Sequence, residues 1–147
     1  MATILHIAPT VTRVLLGLVF VVFGLNGFLR FMPDPSVPDK AGAFLGALAA
    51  TGYMFPLVKG VEVLGGTLLL ANRFVLLALV LLAPNIVNIV LFHVMLAPGG
   101  LPLASLVLAL ELLTAWSYRD AYGSMLHART ALRVSGNETL VAAHSAS

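Results

Sequence analysis

Apolar residues fill this chain in four long runs, at about 11–30, 56–71, 74–96 and 102–118, and polar, proline or glycine breaks close each run. A helix needs about 20 mostly apolar residues to cross a bilayer. The pattern therefore predicts an all-α protein, an integral membrane four-helix bundle of residues 11–122, with a lead at 1–10 and a cytoplasmic tail at 123–147. Pro9 is expected to stop any earlier helix, and Thr10 or Thr12 to cap the first span. Gly17 and Gly24 lie seven residues apart, hence on one helical face, and Gly27 follows; such small residues predict a close helix–helix seam.

Between the first two runs the pattern changes. Pro33, Pro35 and Pro38 exclude a helix just after Arg30. Ala41, Phe44, Leu45, Leu48 and Ala49 then recur at helical spacing, with Asp39 placed to cap them. Joined to the next run they would make about 30 residues, too long for one span. Gly52 and Pro56 are expected to break them apart. Residues 40–51 then form a short outer helix, lying at the interface or folded over the mouth of the bundle. Asn72-Arg73 reads as a tight turn, as does APGGLP. Pro84 sits inside the third run, where neighbouring helices can satisfy the carbonyl it frees. Trp116 and Tyr118 close the fourth as an aromatic belt.

Composition agrees with the pattern. Of 147 residues, 60% are hydrophobic and 10% charged, and the mean hydropathy is +1.03. That leaves too little polar surface for a soluble globular domain, and the length suits one domain. The lipid bilayer is the first partner implied. A net charge of +2 without any basic run gives nucleic acid nothing to bind. The basic residues read instead as orientation signals. Arg13, positioned to snorkel to the interface, falls on one side with Arg73, Arg119, Arg129 and Arg133, against Arg30 and Lys40 on the other. Both termini are thus expected to be cytoplasmic in a bacterial-type cytoplasmic membrane. No small-residue cleavage site closely follows the first run, so it reads as an uncleaved span. Cysteine is absent, which excludes disulfides, thiolate catalysis, thiolate-held iron–sulfur clusters and covalently attached haem.

The chemistry lies in the polar residues set within apolar sequence. Ionised groups in hydrocarbon cost at least ~2.5–3.5 kcal/mol each, so they need partners or a role. Helix depths at ~1.5 Å per residue bring Asn26, Lys59, Glu62, Asn85, Asn88, His93 and Glu111 to the outer half of the membrane, as a convergent polar pocket. Other assignments stand beside this one. Lys59 and Glu62, three apart, can pair along their own helix. Asn85 and Asn88 can serve as interhelical glue, and His93 as a satisfied interfacial histidine. Glu111 has no cation within a turn on its own run, so it needs a partner on another helix, a proton, or water. No residue is assigned a catalytic role. A haem held by two histidines would need a second histidine inside a run, and His6, His127 and His144 lie outside. No motif or spacing for a metal, a phosphate loop or a nucleophile elbow is present.

Three stretches share a further likeness. RVLLGLVFVVFG, with Arg13, Gly17, Phe20 and Gly24, resembles the opening of DoxX-like membrane proteins. VEVLGGTLLLANR resembles their second span, in which a glutamate precedes a glycine pair and a basic turn. LALELLTAWSYRDAY is similar to their fourth-span ending. The resemblance implies a four-helix membrane bundle, with Glu62 at the motif glutamate. It also implies a link to electron transfer, because the family takes its name from a subunit of a thiosulfate:quinone oxidoreductase. The lack of cysteine argues against sulfur chemistry by this chain alone. The function expected is that of a subunit or accessory of a quinone-linked membrane redox complex, with a quinone or another amphipathic lipid in the pocket. The alternatives are a scaffolding subunit without its own chemistry, docked in a larger complex or a homo-oligomer, and a small-solute transporter. The last is disfavoured because no inverted repeat is evident.

Overall fold

A computed structural model describes residues 2–33 and 36–124, and among them every regular element is helical. The helices are α1 (Ala2–Leu29), α2 (Asp39–Ala50), α3 (Met54–Leu70), α4 (Val75–Met95) and α5 (Leu101–Ser117). Short 3-10 turns follow at Pro98–Gly100 and Arg119–Ser124. Among the described residues three stretches are long and apolar enough to cross a membrane: Ile7–Leu29, Val75–Met95 and Pro98–Ser117. With 17 residues, α3 reaches only about 25 Å. It meets the same measure only when α2 is counted with it, and that pair is bent by 92°.

Several local expectations change. Helix α1 starts at Ala2 and runs through Pro9. Pro9, two turns into the helix, removes one N–H donor without ending α1. Neither threonine caps the helix, since both lie inside it; the Thr12 hydroxyl instead donates back to the Pro9 carbonyl at 3.2 Å. Asp39 is the first residue of α2 rather than its cap, which is Pro38, and it makes no capping bond. Thr51, Gly52 and Tyr53 separate α2 from α3, and of the two expected breakers only Gly52, at φ +75°, lies in that break. Pro56 falls within the first turn of α3, where its missing donor had no partner to lose. The tail from 125 onward, with Arg129, Arg133, His127 and His144, lies outside the described residues.

Helix α1 packs on α3 and α5, and α4 packs on the same two. Leu16 and Phe20, Leu69, Ala78 to Ile86 on one face of α4, and Val107 and Leu110 form the shared core. The polarity of the surface is inverted relative to a water-soluble domain. Leu15, Leu18, Val80, Val87, Leu106, Leu112 and Leu113 are all exposed, whereas Arg13, Glu62, Glu111 and Thr114 are buried. A protein whose large apolar side chains face out is compatible with lipid as its solvent.

Glycines set the spacing of α1, α3 and α4. A β-carbon at Gly66 would lie 2.8 Å from the Gly17 carbonyl oxygen and 2.9 Å from the Val21 nitrogen, so α1 and α3 meet backbone to backbone. A β-carbon at the adjacent Gly65 would fall 2.7 Å from Leu82 of α4. The glycine pair thus lets α3 sit close to two helices at once. At its end the Arg73 N–H reaches the Leu68 carbonyl (3.0 Å) and the Asn72 N–H the Leu69 carbonyl (3.2 Å). With Asn72 at φ 54°, this is a Schellman stop, which satisfies two of the last carbonyls and turns the chain into α4.

Candidate functional site

Glu62 lies midway along α3, on the side that faces α1 and α4. Across the seam, a β-carbon at Gly24 would come within 3.2 Å of the Glu62 Cβ. Gly24 thus lets the base of the glutamate side chain sit close against α1. One turn earlier, Lys59 Nζ is 2.8 Å from Glu62 Oε2, with the glutamate side chain 4% exposed and the lysine 20%. The lysine stem packs on Gly27 and its ammonium lies 5.8 Å from the Phe55 ring centre, within cation–π range.

Two adjoining cavities share this pair. The first, about 200 Å³, lies among α1, α3, α4 and α5, with walls that include Phe20, Phe23, Ile89 and Val107. The second, about 160 Å³, lies beneath α2, with Phe44, Leu48, Phe55 and Phe92 in its walls. Lys59, Glu62, Ile89 and His93 border both. His93 also borders a third space, of about 350 Å³, beside the Ser36–Pro38 segment and Gly100. Its Nδ1 lies 3.0 Å from the Ala97 carbonyl oxygen. A carbonyl only accepts, so Nδ1 carries the hydrogen and Nε2 of the neutral ring is an acceptor.

The structure sorts the seven candidate pocket residues into three groups. Lys59, Glu62 and His93 come together. Asn88 reaches only the rim of the second cavity and is otherwise exposed. Asn85 donates to the Val58 carbonyl of α3 at 3.4 Å, which ties α4 to α3 beside the pair. Asn26 and Glu111 go elsewhere. The Asn26 side-chain oxygen accepts from the Met32 N–H at 2.8 Å and pins the chain as it leaves α1. Glu111 is buried on α5 but lines neither cavity, and its Oε2 has no hydrogen-bond partner. Its carboxylate, after burial, is the second cause that raises the Tyr122 phenol above its ordinary value.

Arg13 departs furthest from expectation. It does not snorkel outward; it is 6% exposed and donates through Nη1 to the Leu69 carbonyl near the end of α3. Its Nε has no partner. The sequence signal was present as an arginine inside an apolar run, but the run could not show which way the side chain turned. The apolar cavity walls carried no signal, because Phe20, Ile89 and Val107 read as ordinary core.

Chemically, the site offers one net-neutral polar patch in apolar walls. Lys59 has three N–H donors, one of them taken by Glu62; Glu62 and His93 Nε2 accept. Among the described residues no group of three potential ligands could hold a metal ion. Comparisons with protein-family models, with curated proteins and with solved structures find no match.

Proposed function

We propose that this protein is an integral membrane four-helix bundle that binds a small amphipathic ligand within the membrane, as a DoxX-like subunit or accessory of a quinone-linked redox complex. The observation that carries the reading is the Lys59–Glu62 pair, placed with His93 on the shared wall of two apolar cavities. An ion pair buried in low dielectric is costly to keep where only stability is at stake. Here it faces space rather than packed side chains. A ring carbonyl suits the Lys59 donors, and a ring hydroxyl suits His93 Nε2. The quinone link itself rests on the sequence resemblance.

In this reading α1, α3, α4 and α5 span the bilayer, α2 lies across one mouth, and both termini are cytoplasmic. Single cysteines at Gly46 and Asn72, both exposed, test that placement in a chain with no cysteine of its own. A membrane-impermeant maleimide added to intact cells should label the first and spare the second. The ligand is tested by purification in native lipid discs, solvent extraction and absorbance and mass analysis for quinones. A quinone retained by the wild type and lost from Lys59→Met supports the reading. Discs whose quinone content matches the bulk membrane in both proteins refute it.

The polar contacts of Asn85 and Arg13 favour a second reading. Both bond to carbonyls of α3 and fix how the helices meet, as a scaffold without chemistry would require. That reading has the Lys59–Glu62 pair set register alone, and it expects no retained ligand.

A further inference from the structure

The cavity beneath α2 is polar at the end where Lys59, Glu62 and His93 meet, with the exposed Asn88 at its rim. Phe44, Leu45 and Leu48 of α2, with Phe55 and Phe92, make the rest apolar. The polar end carries no net charge while the ammonium and carboxylate stand 2.8 Å apart, so a charged head group finds no uncompensated counter-ion. Its volume, about 160 Å³, is below the ~300–1,000 Å³ usual for drug-sized ligands, so it takes the segment of one chain next to the head, with the remainder in lipid, and not two chains side by side.

The roof is lightly held. Of all its residues α2 fully buries only Ala41, and its stacking on α4 is a single ring pair, Phe44 and Phe92, with centres 5.8 Å apart. It joins α3 through Gly52 at φ +75°, with no side chain within 4 Å of where a β-carbon would be. Elements with few buried contacts open at the lowest free energy. The rest of α2 shows small residues outward: Ala43, Gly46, Ala47 and Ala50 are exposed.

Building on the ligand-pocket reading above, we propose that the cavity beneath α2 holds the part of the tail next to the head in a single-chain amphiphile whose polar head is uncharged. The head hydrogen-bonds at Lys59, Glu62 and His93, and the ligand enters from the lipid phase when α2 lifts about Gly52. The aromatic rings of Phe44, Phe55 and Phe92 grip the chain, and the buried pair selects a head that both donates and accepts.

The test uses the full chain in phosphatidylcholine discs, with hexadecanol bearing a tail diazirine close to the head as probe. Palmitic acid and a phosphatidylcholine with the same diazirine serve as the charged and two-chain comparisons. Leu45→Cys/Asn88→Cys, on the cavity walls but outside the rings that grip the chain, closed with a short thiol cross-linker that a reductant cleaves, ties α2 to α4. If that variant fails to assemble, Leu45→Cys/Ile89→Cys, also on the walls, replaces it. Mass mapping should place the hexadecanol label on Leu48 and Phe55, with less from either comparison probe. Cross-linking should lower it about tenfold or more, as the entry-competent fraction falls, and reduction should restore it. Label at Leu48 and Phe55 that ignores the cross-link, or that comes more strongly from palmitate or phospholipid, overturns the proposal. Label confined to Val19, Leu103 and Val107 of the deeper cavity, and indifferent to the cross-link, overturns it while leaving the pocket reading in place. Absence of label from both cavities with all three probes overturns the two together.

Discussion

Arg13 of α1 and Leu69 of α3 are joined by a buried hydrogen bond from the guanidinium to the backbone carbonyl. The last carbonyls of a helix lack intrahelical partners and carry the negative end of its dipole. The Leu69 carbonyl already accepts from the Asn72 N–H, so the buried cation adds a second, charged bond and neutralises the negative end of the dipole. Arg13→Ala should therefore lower stability by about 1.5–3 kcal/mol, the usual worth of a charged hydrogen bond. Arg13→Lys should recover part of the loss. Thermal unfolding in detergent measures both, and an unchanged midpoint for the alanine variant would remove Arg13 from the framework.

The glycine seam predicts a contrast within one helix. Gly66→Ala drives a β-carbon toward the Gly17 carbonyl and the Val21 backbone, neither of which can yield as a side chain would. It should destabilise by about 1–3 kcal/mol through overpacking. Gly60→Ala, with nothing within 4 Å, should be neutral or gain up to about 1 kcal/mol from helix propensity. Equal melting temperatures for the two variants would contradict the observed packing.

The Lys59–Glu62 pair should behave asymmetrically under substitution. Lys59→Met leaves a buried carboxylate without its cation, at a cost of about 3–5 kcal/mol. Adding Glu62→Gln to that variant should return much of the loss, because no charge then remains to be stranded. A double-mutant cycle on unfolding free energies reads the coupling. Strictly additive effects would mean that the two side chains do not interact.

Glu111 makes the opposite forecast. Its Oε2 is buried without a partner, so Glu111→Leu strands nothing and relieves an unsatisfied group. That change should raise thermal stability, by about 1–3 kcal/mol on the cost of an unpaired buried polar atom. Glu111→Gln should leave stability near that of the wild type. Loss of quinone retention in the stabilised leucine variant would tie Glu111 to the proposed function, whereas unchanged retention would make it dispensable to it.

The sequence by itself determined what is local. Apolar run length set where helices form, because a helix satisfies its backbone internally whatever surrounds it. The break at Gly52, the turn at Asn72-Arg73 and the small-residue face at Gly17 and Gly24 were legible for the same reason: each is a property of a few adjacent residues. Lys59 and Glu62, three apart on one helix, were bound to be within reach of each other. The tertiary structure decided which side chains meet across helices. That depends on how far each helix is rotated and how closely it approaches, and the approach follows from where Gly65 and Gly66 let α4 and α1 come in. Only this rotation carried Arg13 inward to Leu69, turned Asn26 away to Met32 and left Glu111 apart from the pair. His93 meets Lys59 and Glu62 because α4 packs on α3 in this one register, and the second cavity exists because α2, bent by 92° from α3, covers space that the apolar pattern alone does not describe.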